Sequence, residues 1–178
     1  MKKLIALTAL VATPLLVAPV PHRAAPAASS ASRPVFEFKG LKAGEVIDPT
    51  PVADCSPPQP TGEMKCDLKD STIAGIRGLT SPTIYLYKGR LTSMVHLFNA
   101  EQFLTMLDAF TTKYGQPCST AHPKWQNKMG ATFDNTVVTW CFRTGKLEMS
   151  AMSIDRTYGD FSYTDVYKAP AKAATVDF

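Results

Sequence analysis

Residues 91–114 read LTSMVHLFNAEQFLTMLDAFTTKY, and the stretch changes period halfway along. Leu91, Ser93, Val95 and Leu97 alternate with Thr92, Met94, His96 and Phe98, and a repeat of two marks a strand. Apolar side chains occur in both sets, so the strand is expected inside a sheet rather than at its edge. Asn99 then suits a helix cap, with Gln102 at the spacing of a capping box. Glu101 in the first turn and Lys113 in the last complement the helix dipole. Phe103, Met106, Leu107, Phe110 and Tyr114 fall on one stripe, and Glu101, Thr105, Asp108 and Thr112 on the opposite one. Gly115 suits the left-handed residue after a helix, and Pro117 blocks continuation. The sequence therefore predicts a strand running into a helix over 100–114. Burying that stripe requires neighbouring strands, and each large side chain so buried contributes about 1.5–3 kcal/mol.

The flanking segments supply strands. Val35–Phe38 is a first short one. Residues 40–69 hold Pro49, Pro51, Pro57, Pro58 and Pro60, which predicts an irregular loop with at most one helical turn. Ser71–Leu79 reads as a weak, glycine-bearing strand, bulged by Gly75 and Gly78. Thr83–Tyr87 is stronger, and Lys88-Gly89-Arg90 turns it into the 91–99 strand as a hairpin. Beyond the helix, 116–128 is a loop, Gly130–Phe133 begins a short strand, and Asp134-Asn135 is a turn. Thr136–Phe142, Lys146–Ile154 and Phe161–Tyr167 complete the set. Strands, one helix and strands again predict an α+β fold, an antiparallel sheet with one long helix packed on one face.

Residues 1–27 read as a secretory signal peptide. Lys2 and Lys3 precede an apolar run from Leu4 to Val17, and Ala25-Pro26-Ala27 offers small residues for cleavage. Pro14 breaks the run well short of the roughly 20 apolar residues of a membrane span. Residues 28–34 then form a linker, 35–168 one domain and 169–178 a disordered tail. Lys2, Lys3 and Arg23 leave with the signal and no acid does, so 16 basic residues face 15 acidic ones in the exported chain. That balance lacks the basic stripe of a nucleic-acid binder. The destination is the periplasm or the exterior, without a membrane span after cleavage. All four cysteines survive cleavage, and an even count in an exported chain implies disulfides. Of the three possible pairings, Cys55–Cys66 and Cys118–Cys141 are favoured. The first closes the Pro-rich loop and the second ties the post-helix loop to a strand. Each is worth about 3 kcal/mol in the chain-entropy model.

Motifs for chemistry are sparse. There is no GxSxG, no CxxC and no glycine-rich phosphate loop. His96 lies on a strand and His122 before Pro123 in a loop. Asp67 with Asp70, and Asp155 with Asp160, are the nearest carboxylate pairs, in turns where aspartate is favoured for backbone reasons. No catalytic residue, metal ligand or cofactor is assigned. The aromatic residues are more suggestive, since tyrosine and tryptophan combine an apolar body with a polar tip and are enriched at recognition surfaces. Tyr85, Tyr87, Tyr163 and Tyr167 are the candidate binding residues, on a sheet face that a single helix leaves uncovered.

TIAGI, YKGRL, the helix ending KYGQP, NKMG and VVTWCF, between Thr72 and Tyr167, resemble segments of small, functionally uncharacterised exported proteins of Gram-negative bacteria. The resemblance implies export and brings no catalytic residues. The leading expectation is a non-enzymatic module that binds a protein or an envelope component. The alternatives are a small periplasmic hydrolase, which needs His96 or His122 to meet a carboxylate or hydroxyl in a pocket, and a binder of a small ligand or metal.

Overall fold

The computed structural model describes residues 33–127 and 129–166. The signal, most of the linker, the tail and Tyr167 lie outside those residues. Strands β1 (Glu37–Phe38) and β2 (Leu41–Lys42) form a small hairpin. β3 (Ala53–Cys55) pairs with β4 (Glu63–Leu68), and β5 (Thr72–Ile73) with β6 (Ile76–Arg77). β7 (Thr83–Tyr87) turns tightly into β8 (Arg90–Asn99). A 3-10 turn at Ala100–Gln102 leads into helix α1 (Phe103–Tyr114). β9 (Ser119–Ala121), β10 (Lys124–Gln126), β11 (Thr132–Asp134), β12 (Val137–Cys141), β13 (Gly145–Ser150) and β14 (Tyr158–Asp165) follow.

Eight strands form one antiparallel sheet in the order β3-β4-β7-β8-β14-β13-β12-β9. It is two four-stranded meanders, one before the helix and one after, whose last strands β8 and β14 meet at the midline. Strand β8 is thus interior, as its two apolar faces predict. The molecule is mainly sheet, and its helix is short. The reason is the distance that the helix covers. The chain leaves β8 at Asn99 and must return near Trp140 on β12. Trp140 shares a rung with Leu147, Tyr163 and Met94. That path crosses three strand spacings, about 14 Å, and five residues along the strands, about 17 Å, a diagonal of about 22 Å. The 3-10 turn plus twelve α-helical residues span about 24 Å, so a longer helix would overshoot.

The Asn99 side chain accepts from the Glu101 N–H, so asparagine caps, but onto the 3-10 turn. The predicted stripe is buried: Phe103, Met106 and Phe110 fully, Leu107 and Tyr114 in part. Phe110 meets Trp140 and Phe161 edge to face at ring distances of 5.8 and 5.0 Å. The β1–β2 hairpin packs on the same face, where Phe36 stacks on Tyr163 at 3.9 Å.

Three local expectations are corrected. Residues 40–69 are not one irregular loop. Met64, Cys66 and Leu68 alternate inward along β4, and the proline-bearing turn 56–62 merely connects β3 to it. Ser71–Leu79 is not a bulged strand but the β5–β6 hairpin, turned by Ala74 and Gly75 at positive φ. The 116–128 loop contributes β9 at the sheet edge and β10, which pairs with β11. Gly145 and Gly159 are strand positions that admit no side chain, because a Cβ would lie 2.1 Å from the Thr164 carbonyl oxygen at the first and 2.7 Å from the Ser150 carbonyl oxygen at the second.

The structure pairs Cys55 with Cys66 and Cys118 with Cys141 and leaves no cysteine free. The first staples the two outermost strands of one sheet edge, and the second staples the approach to β9 onto β12 at the other. Two disulfides fit an oxidising, extracellular or periplasmic setting. Among the described residues no helix is long and apolar enough to cross a membrane.

Candidate functional site: the uncovered sheet face

Alternation along each strand sends the phenylalanine and methionine side chains of the central strands to one side. Met94, Phe98, Phe161, Tyr163, Leu147 and Met149 are buried there, beneath α1 and the β1–β2 hairpin. Their neighbours, Ser93, Val95, Leu97, Ser162, Thr164, Lys146 and Glu148, line the opposite face. Two rungs cross it. One runs Lys65, Tyr85, Ser93, Thr164, Lys146; the other runs Asp67, Thr83, Val95, Ser162, Glu148, Thr139.

The sizes of these side chains give the face a shape. Along the middle of β8 and β14 the floor is Ser93, Val95, Ser162 and Thr164, with Leu97 and Asp160 at one end. On one side stand Tyr85 and Tyr87, half-buried, with Lys65 and Asp67 beyond. On the other stand Lys146 and Glu148. The result is a shallow trough along the sheet midline. Its walls carry charge that is already paired: Lys65 meets Asp67 at 3.5 Å, Lys146 meets Glu148 at 2.8 Å, and the Thr83 hydroxyl donates to Asp67 at 2.6 Å. Partly exposed pairs of this kind add little stability. They do lower the electrostatic cost of laying another surface on top, because neither charge is left alone when water leaves. At one end lies Asp160, whose carboxyl is pushed above the usual carboxylate range by burial, against a lowering hydrogen bond from Ser153 and with a further push from Glu148.

The sheet edges are poor docking sites by comparison. β3 is flanked by Pro51 and Pro57, and β9 by Pro117 and Pro123. Both are three residues long and stapled. Short edges bounded by proline discourage strand addition.

Of the four candidate tyrosines, Tyr85 and Tyr87 lie on the uncovered face. Tyr163 does not: it is 0% exposed, stacked on Phe36 in the core, with its hydroxyl 3.3 Å from Asp165. A partner cannot reach it. Its burial is legible in hindsight from Phe161-Ser162-Tyr163-Thr164, where bulky residues alternate with small ones and the bulky set fills the core. The same signal marks Ser93, Ser162 and Thr164 as trough floor, which a search for aromatic residues passes over.

The other candidates separate. His96 is buried with no hydrogen-bond partner on either ring nitrogen. His122 is exposed, its Nδ1 3.3 Å from the Thr136 hydroxyl, and it lines none of the cavities described below. Asp67 and Asp70 point to different surroundings, the trough wall and Lys39 respectively. Asp155 caps its own turn by accepting from the Thr157 N–H. Among the described residues no cluster of three or more His, Cys, Asp or Glu is placed to hold a metal. A cavity of about 460 Å³ opens beside the β7–β8 turn and is lined by Tyr87, Arg90, Leu91, Thr92, Gly44 and Asp165. A second, about 310 Å³, lies between α1 and the β5–β6 hairpin. No family model, curated protein or solved structure matches this chain.

Proposed function

We propose that this chain is an exported, non-enzymatic module that binds a protein or envelope component through the trough on its uncovered sheet face. The observation that carries the reading is the unequal treatment of the two faces. Helix α1 and the hairpins β1–β2 and β5–β6 all make their contacts on one side, and a small-floored trough walled by Tyr85 and Tyr87 is left on the other. Half-buried tyrosines hold a rigid, amphipathic contact surface at low entropic cost. The two disulfides agree with work outside the reducing cytosol.

Site-specific photocrosslinking tests this. A photoreactive residue at Tyr85 or Val95 is expected to capture one defined adduct in the exporting cell, while the same residue at Thr105, on the solvent side of α1, captures none. Adducts of equal yield from both positions would remove the trough from consideration.

A second reading, a small-ligand binder, is favoured by the 460 Å³ cavity, whose volume falls in the range of ligand sites. A ligand seated there at 100 times its Kd would stabilise the fold by about 2.7 kcal/mol. The expected result is a rise in melting temperature with a small amphiphile that Leu91→Trp, which fills the cavity, abolishes. A rise that persists in Leu91→Trp places the ligand elsewhere.

A further inference from the structure

The His96 imidazole is 1% exposed, and neither nitrogen has a hydrogen-bond partner. Buried polar groups are nearly always paired, so an orphaned ring calls for a reason. Gly78 seals it in: a Cβ there would fall 2.1 Å from Cε1 and 2.3 Å from Nε2, so the backbone at residue 78 lies against the ring. The Phe161 ring is 5.2 Å from it, centre to centre.

Residues 70–80, which carry Gly78, are joined lightly to the body. The Gly78 N–H donates to the Ser71 carbonyl at 3.0 Å, the Thr72 N–H to Asp70 Oδ1 at 2.8 Å, and β5 pairs with β6. Those bonds stay inside the segment. The body holds the segment through Lys39, whose ammonium donates to the Asp70 and Thr72 carbonyls at 2.9 and 2.8 Å and pairs with the Asp70 carboxylate. Ile73 is buried and Ile76 half-buried against the core. The segment is also one wall of the 310 Å³ cleft, whose other walls include Phe38, Phe110 and Lys113.

We propose that residues 70–80 are a flap that neutral His96 holds shut and that protonated His96 opens, widening the cleft it shares with α1. A proton turns both ring nitrogens into donors and adds a charge where neither nitrogen has an acceptor. Burial first, and the Lys39 cation second, hold the His96 pKa at about 4 against an ordinary 6.5. With the flap open the ring meets water and regains its ordinary value, so the open form binds the proton more tightly. Closure is fully favoured above about pH 6.5, weakens as the pH falls, and its loss levels off below about pH 4. Across that window the open-to-closed ratio rises on the order of a few hundred-fold. Lys39 from the β1–β2 turn is the charge felt at the ring; Lys113 of α1 and Asp70 of the flap line the adjoining cleft, exposed Arg77 precedes Gly78 on the flap, and β14 contributes the uncharged Phe161. Hydrogen bonds from Lys39 and then Thr72 keep the Asp70 carboxyl below its usual range. The Lys39 staple therefore survives through most of the window, and His96 is the group that changes.

NMR of the exported chain between pH 7.5 and 3.5 tests the flap, reading the His96 ring and the amides of residues 71–79. The ring is expected to titrate between pH 4 and 6.5, above the closed-form value because opening draws the proton in, with flap amides shifting at the same midpoint and those of β12 and β13 unmoved. Gly78→Ala, whose methyl takes the place of the ring, should show the low-pH flap shifts at pH 7. His96→Phe should leave the flap independent of pH. A flap transition that survives in His96→Phe overturns the proposal, as does a ring titrating near 6.5 with a still flap, or β12 and β13 moving together with it. If His96→Phe does not fold, the wild-type midpoints decide: coincidence of ring and flap supports the device, and separation rejects it.

Discussion

Trp140→Ala is expected to cost about 3–5 kcal/mol of unfolding free energy, the range for removing a large aromatic from a packed core. Trp140 is 2% exposed and joins two elements that nothing local holds together. Its ring meets Phe110 of α1 edge to face, and its Nε1–H donates to the Gly115 carbonyl at 2.9 Å. That carbonyl lies just past the helix, where the last backbone acceptors lack intrahelical donors. One side chain on β12 thus packs the helix stripe and satisfies the helix end. Trp140→Phe separates the two roles: it keeps a ring against Phe110 and takes away the donor, at about 0.5–1.5 kcal/mol, because Gly115 is exposed and water can replace it. Urea unfolding measures both, as a lower midpoint at unchanged slope. A loss under about 1 kcal/mol for the alanine variant would mean that the helix is not seated on β12 as described.

Local signals made the helix and its stripe legible. Asn99, the Phe103-Met106-Phe110 spacing and Gly115 act within one or two turns, and each is found in its place. The hairpin β7–β8 was legible for the same reason, since Lys88 and Gly89 take the positive φ that such a turn needs. Strand β4 was not legible, because proline density nearby outweighed the short alternation Met64-Cys66-Leu68. Its order comes from pairing with β7, eighteen residues or so downstream, and from the disulfide, neither of which is local. The length of the helix was read from its periodicity alone. What limits it is the diagonal across four strands, a property of a sheet order that the sequence does not display. The candidate site was half legible: alternation put Tyr85 and Tyr87 together, but whether Tyr163 faces helix or solvent depends on which side of β14 the helix chooses. The clash between His96 and any side chain at position 78 was invisible, because 18 residues separate the two in the chain.

Removing both disulfides should cost the sum of removing each, about 6 kcal/mol. In the chain-entropy model the 11-residue and 23-residue separations correspond to about 3 kcal/mol apiece, the second larger by about 0.7 kcal/mol. Additivity is expected in both states. In the unfolded chain the loops 55–66 and 118–141 neither nest nor overlap, so closing one leaves the entropy of the other nearly unchanged. In the folded chain five strand spacings, about 24 Å, separate β4 from β12, beyond the 7–10 Å at which substitutions usually couple. Cys66 is 1% exposed, so alanine is the better replacement there; a serine hydroxyl would add a burial cost of its own. A loss of about 6 kcal/mol is comparable with the whole stability of many domains, 5–15 kcal/mol, so the variant without cysteines should be marginal or unfolded while each single-bridge variant folds. Urea midpoints of the three variants against the parent measure this. A double loss well short of the sum would show that the two edges unfold separately, and that the strand pair β8–β14 does not transmit order from one meander to the other.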